Sequence, residues 1–167
     1  GGCGHCDVCD RLARLGRDVL ERDPDLVIVQ FGINDSAIDV HHGAKEPRVA
    51  LDRFETNLRS IIASIRGHGA EVLLMTPNPL RWNDKTKEIY GHPPYDADDP
   101  LGFNLLLDKY AETVRLIARD MKAPLFDVDA MFETYDARPG KSVNDLLLDG
   151  MHPNDEGHRR IAAAIEP

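Results

Sequence analysis

Three short apolar runs, Leu26-Val27-Ile28-Val29, Val72-Leu73-Leu74-Met75 and Leu125-Phe126-Asp127-Val128, alternate along the chain with segments in which apolar residues recur every three or four positions. Such alternation marks a parallel sheet whose strands are joined by amphipathic helices. Ahead of the first run, Val8, Leu12, Leu15 and Val19 predict a helix that Pro24 stops. Leu51, Phe54, Leu58, Ile61, Ile62 and Ile65 predict a longer one, with Pro47 at its entry and Gly67 and Gly69 at its exit. A third carries Leu106, Tyr110, Val114, Ile117 and Met121 and is followed by Pro124, and a short helix from about Asp155 to Ile165 closes the chain. No repeat or low-complexity tract interrupts this order, so the pattern describes a single α/β domain over residues 1–167.

Composition narrows the partners. At 167 residues, with 42% hydrophobic, 29% charged and 6% aromatic side chains, the chain is built for one globular core and not for disorder, a coiled coil or a collagen-like fibre. Twenty basic against 29 acidic residues leave a net charge of −9, which gives a nucleic acid no basic footprint to meet. No apolar run approaches the ~20 residues of a membrane span. No signal-peptide core is visible either, but the sequence opens on Gly1 and not on Met, so compartment stays open, as does oligomeric state.

Pro77 to Phe103 departs from the periodic pattern, with five prolines, Trp82, Tyr90 and Tyr95. Irregular segments of this length are usually functional or disordered, and two readings stand: a substrate-facing lid, or a solvated loop tacked down by its aromatics.

Two clusters carry chemistry. Phe31-Gly32-Ile33-Asn34-Asp35 follows the first strand directly, and ligands of open α/β sheets bind beyond the carboxyl ends of strands. Asn34 can donate an amide N–H to a developing oxyanion, although Asn-Asp after Gly is also ordinary turn chemistry. In Asp149-Gly150-Met151-His152-Pro153, an Asp three residues before a His can fold back onto imidazole Nδ1 and leave Nε2 as a base. A helix-capping residue beside a surface His reads the same way locally.

Taken together, Gly-x-Asn-Asp after an early strand and Asp-x-x-His-Pro before the last helix resemble the SGNH hydrolases, the GDSL-type esterase and lipase family, over nearly the whole chain. The resemblance implies a three-layer α/β/α, flavodoxin-like fold and hydrolysis of a carboxylic ester by a Ser-His-Asp triad without a cofactor or metal. It implies that His152 is the base, Asp149 its partner, and Asn34 with a backbone amide at Gly4, or one residue later at His5, the oxyanion hole. The pattern departs from the family at the nucleophile: no Gly-Asp-Ser occurs, and Ser36, Ser60, Ser64 and Ser142 do not sit at a strand-to-helix elbow. The sequence therefore reads as a domain lacking an N-terminal portion that carries the serine. The small-molecule substrate is an ester from a family range of lipids, thioesters, simple esters and acetylated sugars; Trp82 and the tyrosines of the 77–103 segment favour a carbohydrate O-acetyl ester over other small acyl esters.

Two alternatives come from other classes. One is a non-catalytic remnant of the fold. The other is a redox or metal module on Cys3, Cys6 and Cys9 with His5, for which only two residues precede Cys3 and no second ligand pair follows. His41 and His42 follow the Asn34 loop and either line the site or lie in solvent, while His68 and His158 read as surface residues.

Overall fold

The computed structural model describes residues 14–165. Its sheet has three parallel strands in the order β1 (Leu26–Gln30), β2 (Glu71–Met75), β3 (Leu125–Phe126). Leu26 to Gln30 stand opposite Glu71 to Met75 in register, and Leu74 and Met75 opposite Leu125 and Phe126. Six α-helices lie wholly within the described residues: α1 (Ile33–Ser36), α2 (Leu51–Gly67), α3 (Asp84–Tyr90), α4 (Leu107–Asp120), α5 (Val128–Asp136) and α6 (Asp155–Ile165).

Alternation along the strands decides which helices cover which face. Val27, Val29, Val72 and Leu74 share one face, where they meet Phe54, Leu58, Ile61, Ile62 and Ile65 of α2 and Tyr110, Val114 and Ile117 of α4. Each fully buried Leu, Ile or Phe in this layer contributes about 1.5–3 kcal/mol relative to exposure. Met75, on the opposite face, packs with Phe126, Val128, Phe132 and Tyr135 near Ile161 of α6. That second layer covers only the β3 side: Leu26 and Ile28 of β1 are 52% and 47% exposed. Among the described residues, the outer edge of β1 pairs with no strand.

Three boundaries differ from the sequence reading. The helix expected to enter at Pro47 starts at Leu51, because the segment before it is drawn back onto α1 by Arg48 N–H to Ala37 O at 2.9 Å and Val49 N–H to Asp35 O at 3.0 Å. The apolar run ending in Val128 is a strand for only two residues. Asp127 then caps α5, accepting from Ala130 N–H at 3.1 Å while holding Arg115 Nε at 2.7 Å, so Val128 begins a helix that periodicity did not reveal. The first predicted helix is described only from residue 14, where a helical stretch to 18 leads into a 3₁₀ turn at Leu20–Arg22.

The segment Pro77–Phe103 is buried where it leaves β2 and exposed at residues 92–94 and 98–101, and its aromatics tack it to the rest of the fold. Residues 74–81 are buried without a break, and α3 rises from an Asn83 cap whose Oδ1 accepts from Thr86 N–H at 2.9 Å. Asn104 closes a two-bond ring on Leu80, accepting from its N–H at 2.7 Å and donating to its carbonyl at 3.0 Å. Trp82 stacks on Phe103 at 4.4 Å and 10°. The Tyr95 hydroxyl accepts from Ile38 N–H at 2.8 Å. The aromatics thus form a small core of their own beside α1, and burial pushes the Tyr95 phenol above its ordinary range.

Candidate active site

Asn34 and His152, far apart in sequence, line the same cavity of about 310 Å³ at the carboxyl end of β1 and β2, together with Gly32, Asn78, Tyr90 and Met151. Two local structures present them. Gly32 leaves β1 at φ 132°, and a Cβ there would press on the Pro77 ring, so a glycine lets the strand turn into α1 against the segment leaving β2. Asp35, the first carboxylate past the turn, is wholly buried and accepts from Gly32 N–H at 3.2 Å. Asn34 faces outward between them, exposed, with its Oδ1 accepting from Arg48 Nη1 at 3.1 Å.

The His152 turn is tied at both ends. Leu147 bridges antiparallel to Pro153, and Leu148 N–H donates to His152 O at 2.8 Å. Inside it the Asp149 carboxylate accepts three ways: Met151 N–H at 3.0 Å, His152 N–H at 2.9 Å, and His152 Nδ1 at 2.8 Å. Partial burial opposes ionisation of Asp149, but the backbone N–H and imidazole of His152 and the Met151 N–H outweigh it and hold the carboxyl below its usual range. An ionised carboxylate only accepts, so Nδ1 carries the proton in this pair and Nε2 is left as the basic nitrogen.

The segment after β2 holds this turn from below. Asn83 Nδ2 donates to Asp149 O at 2.5 Å, Arg81 N–H to Gly150 O at 2.9 Å, and Asn78 Nδ2 to Met151 O at 2.9 Å. Three successive carbonyls of the turn are thereby satisfied by three residues of one segment, 78–83. Sequence reasoning named none of these, nor Arg48; the nearest signal was the Asn78-Pro79 pair, an ordinary turn marker.

Other expected residues fare differently. Gly4, His5 and the three cysteines lie outside the described residues. His41 and His42 are exposed in a 3₁₀ turn at Val40–His42 and do not line the cavity, although His41 packs edge-on to Tyr90, which does. None of the four serines borders it: Ser36 is buried and donates to Ile33 O, Ser60 and Ser64 donate back along α2, and Ser142 caps the 3₁₀ turn Val143–Leu146. A second, smaller space of about 30 Å³ lies next to the cavity, sharing Ile33, Asn34, Tyr90 and Met151 with it.

Residues 2–160 match the model of the GDSL-like lipase/acylhydrolase family. The chain belongs to that family. It is 29% identical over 160 residues to an acetylxylan esterase of Geobacillus stearothermophilus, covering 95% of this chain and 65% of that protein. It is 27% identical over 175 residues to an uncharacterized lipoprotein of Bacillus subtilis, covering 99% of this chain and 70% of the relative. A crystal structure of the Geobacillus esterase superposes with a TM-score of 0.70 at 27% identity, over 94% of this chain and 64% of that one. An acetyl xylan esterase at 24% identity shares the fold, with a TM-score of 0.73. The chain therefore spans just under two thirds of the length of the Geobacillus enzyme. Solved catalytic mutants of that enzyme replace a serine, an aspartate and a histidine, the last two three positions apart, which is the spacing of Asp149 and His152.

Proposed function

We propose that this chain carries the base, its carboxylate partner and an oxyanion donor of an esterase that removes acetyl groups from carbohydrate hydroxyls. The observation that carries the reading is the Asp149–His152 pair facing the cavity that Asn34 also lines. The acetylxylan esterases among the relatives support the substrate class, and Tyr90 offers the cavity an aromatic face for a sugar ring.

The nucleophile in this reading is a serine from sequence outside these 167 residues, which enters beside the outer edge of β1. Its Oγ attacks the ester carbonyl carbon while its proton passes to His152 Nε2. The imidazolium is stabilised by Asp149, and the oxyanion accepts from the Asn34 amide. Collapse breaks the acyl C–O bond, His152 returns the proton to the departing sugar oxygen, and water repeats the sequence to release acetate. No step calls on a metal or cofactor.

The test is acetate release from acetylated xylo-oligosaccharides by the full-length protein. Turnover that His152→Ala abolishes is expected, whereas unchanged turnover in His152→Ala would overturn the assignment. A specific observation also favours the non-catalytic reading for the chain in isolation, since no serine among the described residues borders the cavity; failure of the full-length protein to release acetate from any such ester would establish it.

A further inference from the structure

An asparagine serves as an oxyanion donor only if its NH₂ end, and not its carbonyl end, faces the reacting oxygen. The two ends are nearly isosteric, so something must distinguish them. At Asn34 the distinction comes from Arg48. A guanidinium has donors and no acceptor, so the atom of Asn34 that meets Arg48 Nη1 at 3.1 Å must be Oδ1. With Oδ1 turned to Arg48, Nδ2 is the opposite, donor end of the Asn34 amide.

Arg48 is itself fixed. Its Nε donates to Asp39 Oδ2 at 3.0 Å and its Nη2 to Asp39 Oδ1 at 2.7 Å, a two-point fork that leaves the guanidinium plane little freedom. Its backbone N–H is tied to Ala37 O at 2.9 Å. Both side chains of the Arg48–Asp39 pair are about a quarter exposed. The Asp39 carboxyl is held below its usual range, foremost by the hydrogen bond from Arg48, so the fork persists across neutral and mildly acidic pH. Arg48 does not line the cavity but bonds Asn34, which does.

We propose that Arg48, anchored by Asp39, is a positioning residue that selects the donating orientation of the Asn34 amide. The proposal rests on the reading of Asn34 as an oxyanion donor. Released from Arg48, the amide samples its flipped state, in which Oδ1 repels the developing oxyanion. Turnover then falls while ground-state binding of the ester changes little.

The experiment is a double-mutant cycle in the full-length protein with an acetyl ester substrate. Arg48→Met is expected to lower kcat roughly tenfold or more, as a fraction of the 10²- to 10³-fold cost of losing one oxyanion donor, with KM within about twofold. In an Asn34→Ala background the same Arg48→Met change is expected to cost less than about twofold. Asp39→Asn, which loosens the anchor and keeps the guanidinium, provides a second variant should Arg48→Met fold poorly, with a smaller loss of kcat that also vanishes in Asn34→Ala. Equal losses in both backgrounds, or no loss in kcat while Asn34→Ala is strongly impaired, would overturn the positioning role. An Asn34→Ala enzyme as fast as wild type would instead overturn the underlying reading of Asn34.

Discussion

The backbone N–H of Arg81 donates to the carbonyl of Gly150 at 2.9 Å, and a side chain on Gly150 would collide with the carbonyl oxygen of Arg81. Gly150 stands at φ +80°, in the left-handed region where only glycine is free of steric cost. The close approach of these two backbones sets the height at which Asp149 and His152 stand above the buried segment that follows β2.

Gly150→Ala should therefore cost about 1–3 kcal/mol from strain and displacement together. Thermal unfolding is expected to show a fall in Tm of several degrees. Activity of the full-length protein should fall further than stability explains, because the turn that pairs Asp149 with His152 moves as a unit. An alanine variant with wild-type Tm and kcat would show that the contact positions nothing.

Asn34→Ala should lower kcat of the full-length protein about 10²- to 10³-fold, the usual cost of one oxyanion donor. Asp149→Asn should cost a similar or larger factor without unfolding the protein, since the amide can neither fix the Nδ1 proton nor stabilise an imidazolium. Steady-state kinetics on variants with native circular dichroism checks both, and wild-type turnover would remove either residue from the site.

The Asp149 carboxyl is held below its ordinary range in the folded chain, which fixes the sign of one pH effect. A group with a lowered folded pKa contributes stability that is fully present above its unfolded value, about 3.9 for Asp, and is lost as pH falls through the folded value. Denaturant midpoints of wild type and Asp149→Asn should thus differ at pH 6 and converge below about pH 4. A difference that persists unchanged to pH 2 would contradict this. The magnitude should be modest, because the Asp149 side chain is 42% exposed.

The 167 residues alone should hydrolyse activated esters far more slowly than the full-length protein. A base and an oxyanion donor without a nucleophile can at most activate water, and triad enzymes lacking one member keep only about 10³- to 10⁴-fold over the uncatalysed rate. The outer edge of β1, which pairs with no strand among the described residues and is flanked by exposed Leu26 and Ile28, should also make the isolated chain prone to associate. Family-like turnover from a monodisperse monomer of this chain would point to a nucleophile other than serine, with Cys6 the first residue to substitute.

Two kinds of feature were legible in the sequence because each depends on neighbours within a few residues. The α2 and α4 stripes, the Asp155–Ile165 helix and the strands at Leu26 and Val72 follow from periodicity, which reports one buried face per element. The Asp149–His152 contact follows from spacing, because a carboxylate three residues before a His can reach Nδ1 within a single turn. Tertiary structure alone decided the rest. Periodicity cannot foresee that residues 74–81 run buried without a break, nor that Asn78 and Arg81 within them satisfy the carbonyls of Met151 and Gly150 in a distant turn. Nor can it foresee that β3 stops after Phe126, because Asp127 is claimed by Arg115 and by the N-terminus of α5. Arg48 lies in an irregular stretch with no pattern to mark it, and its hold on Asn34 exists only once α1 and the chain leading into α2 fold together. Buried polar groups must find partners wherever the fold brings them, and that requirement, unlike hydrophobic periodicity, leaves no local trace in the sequence.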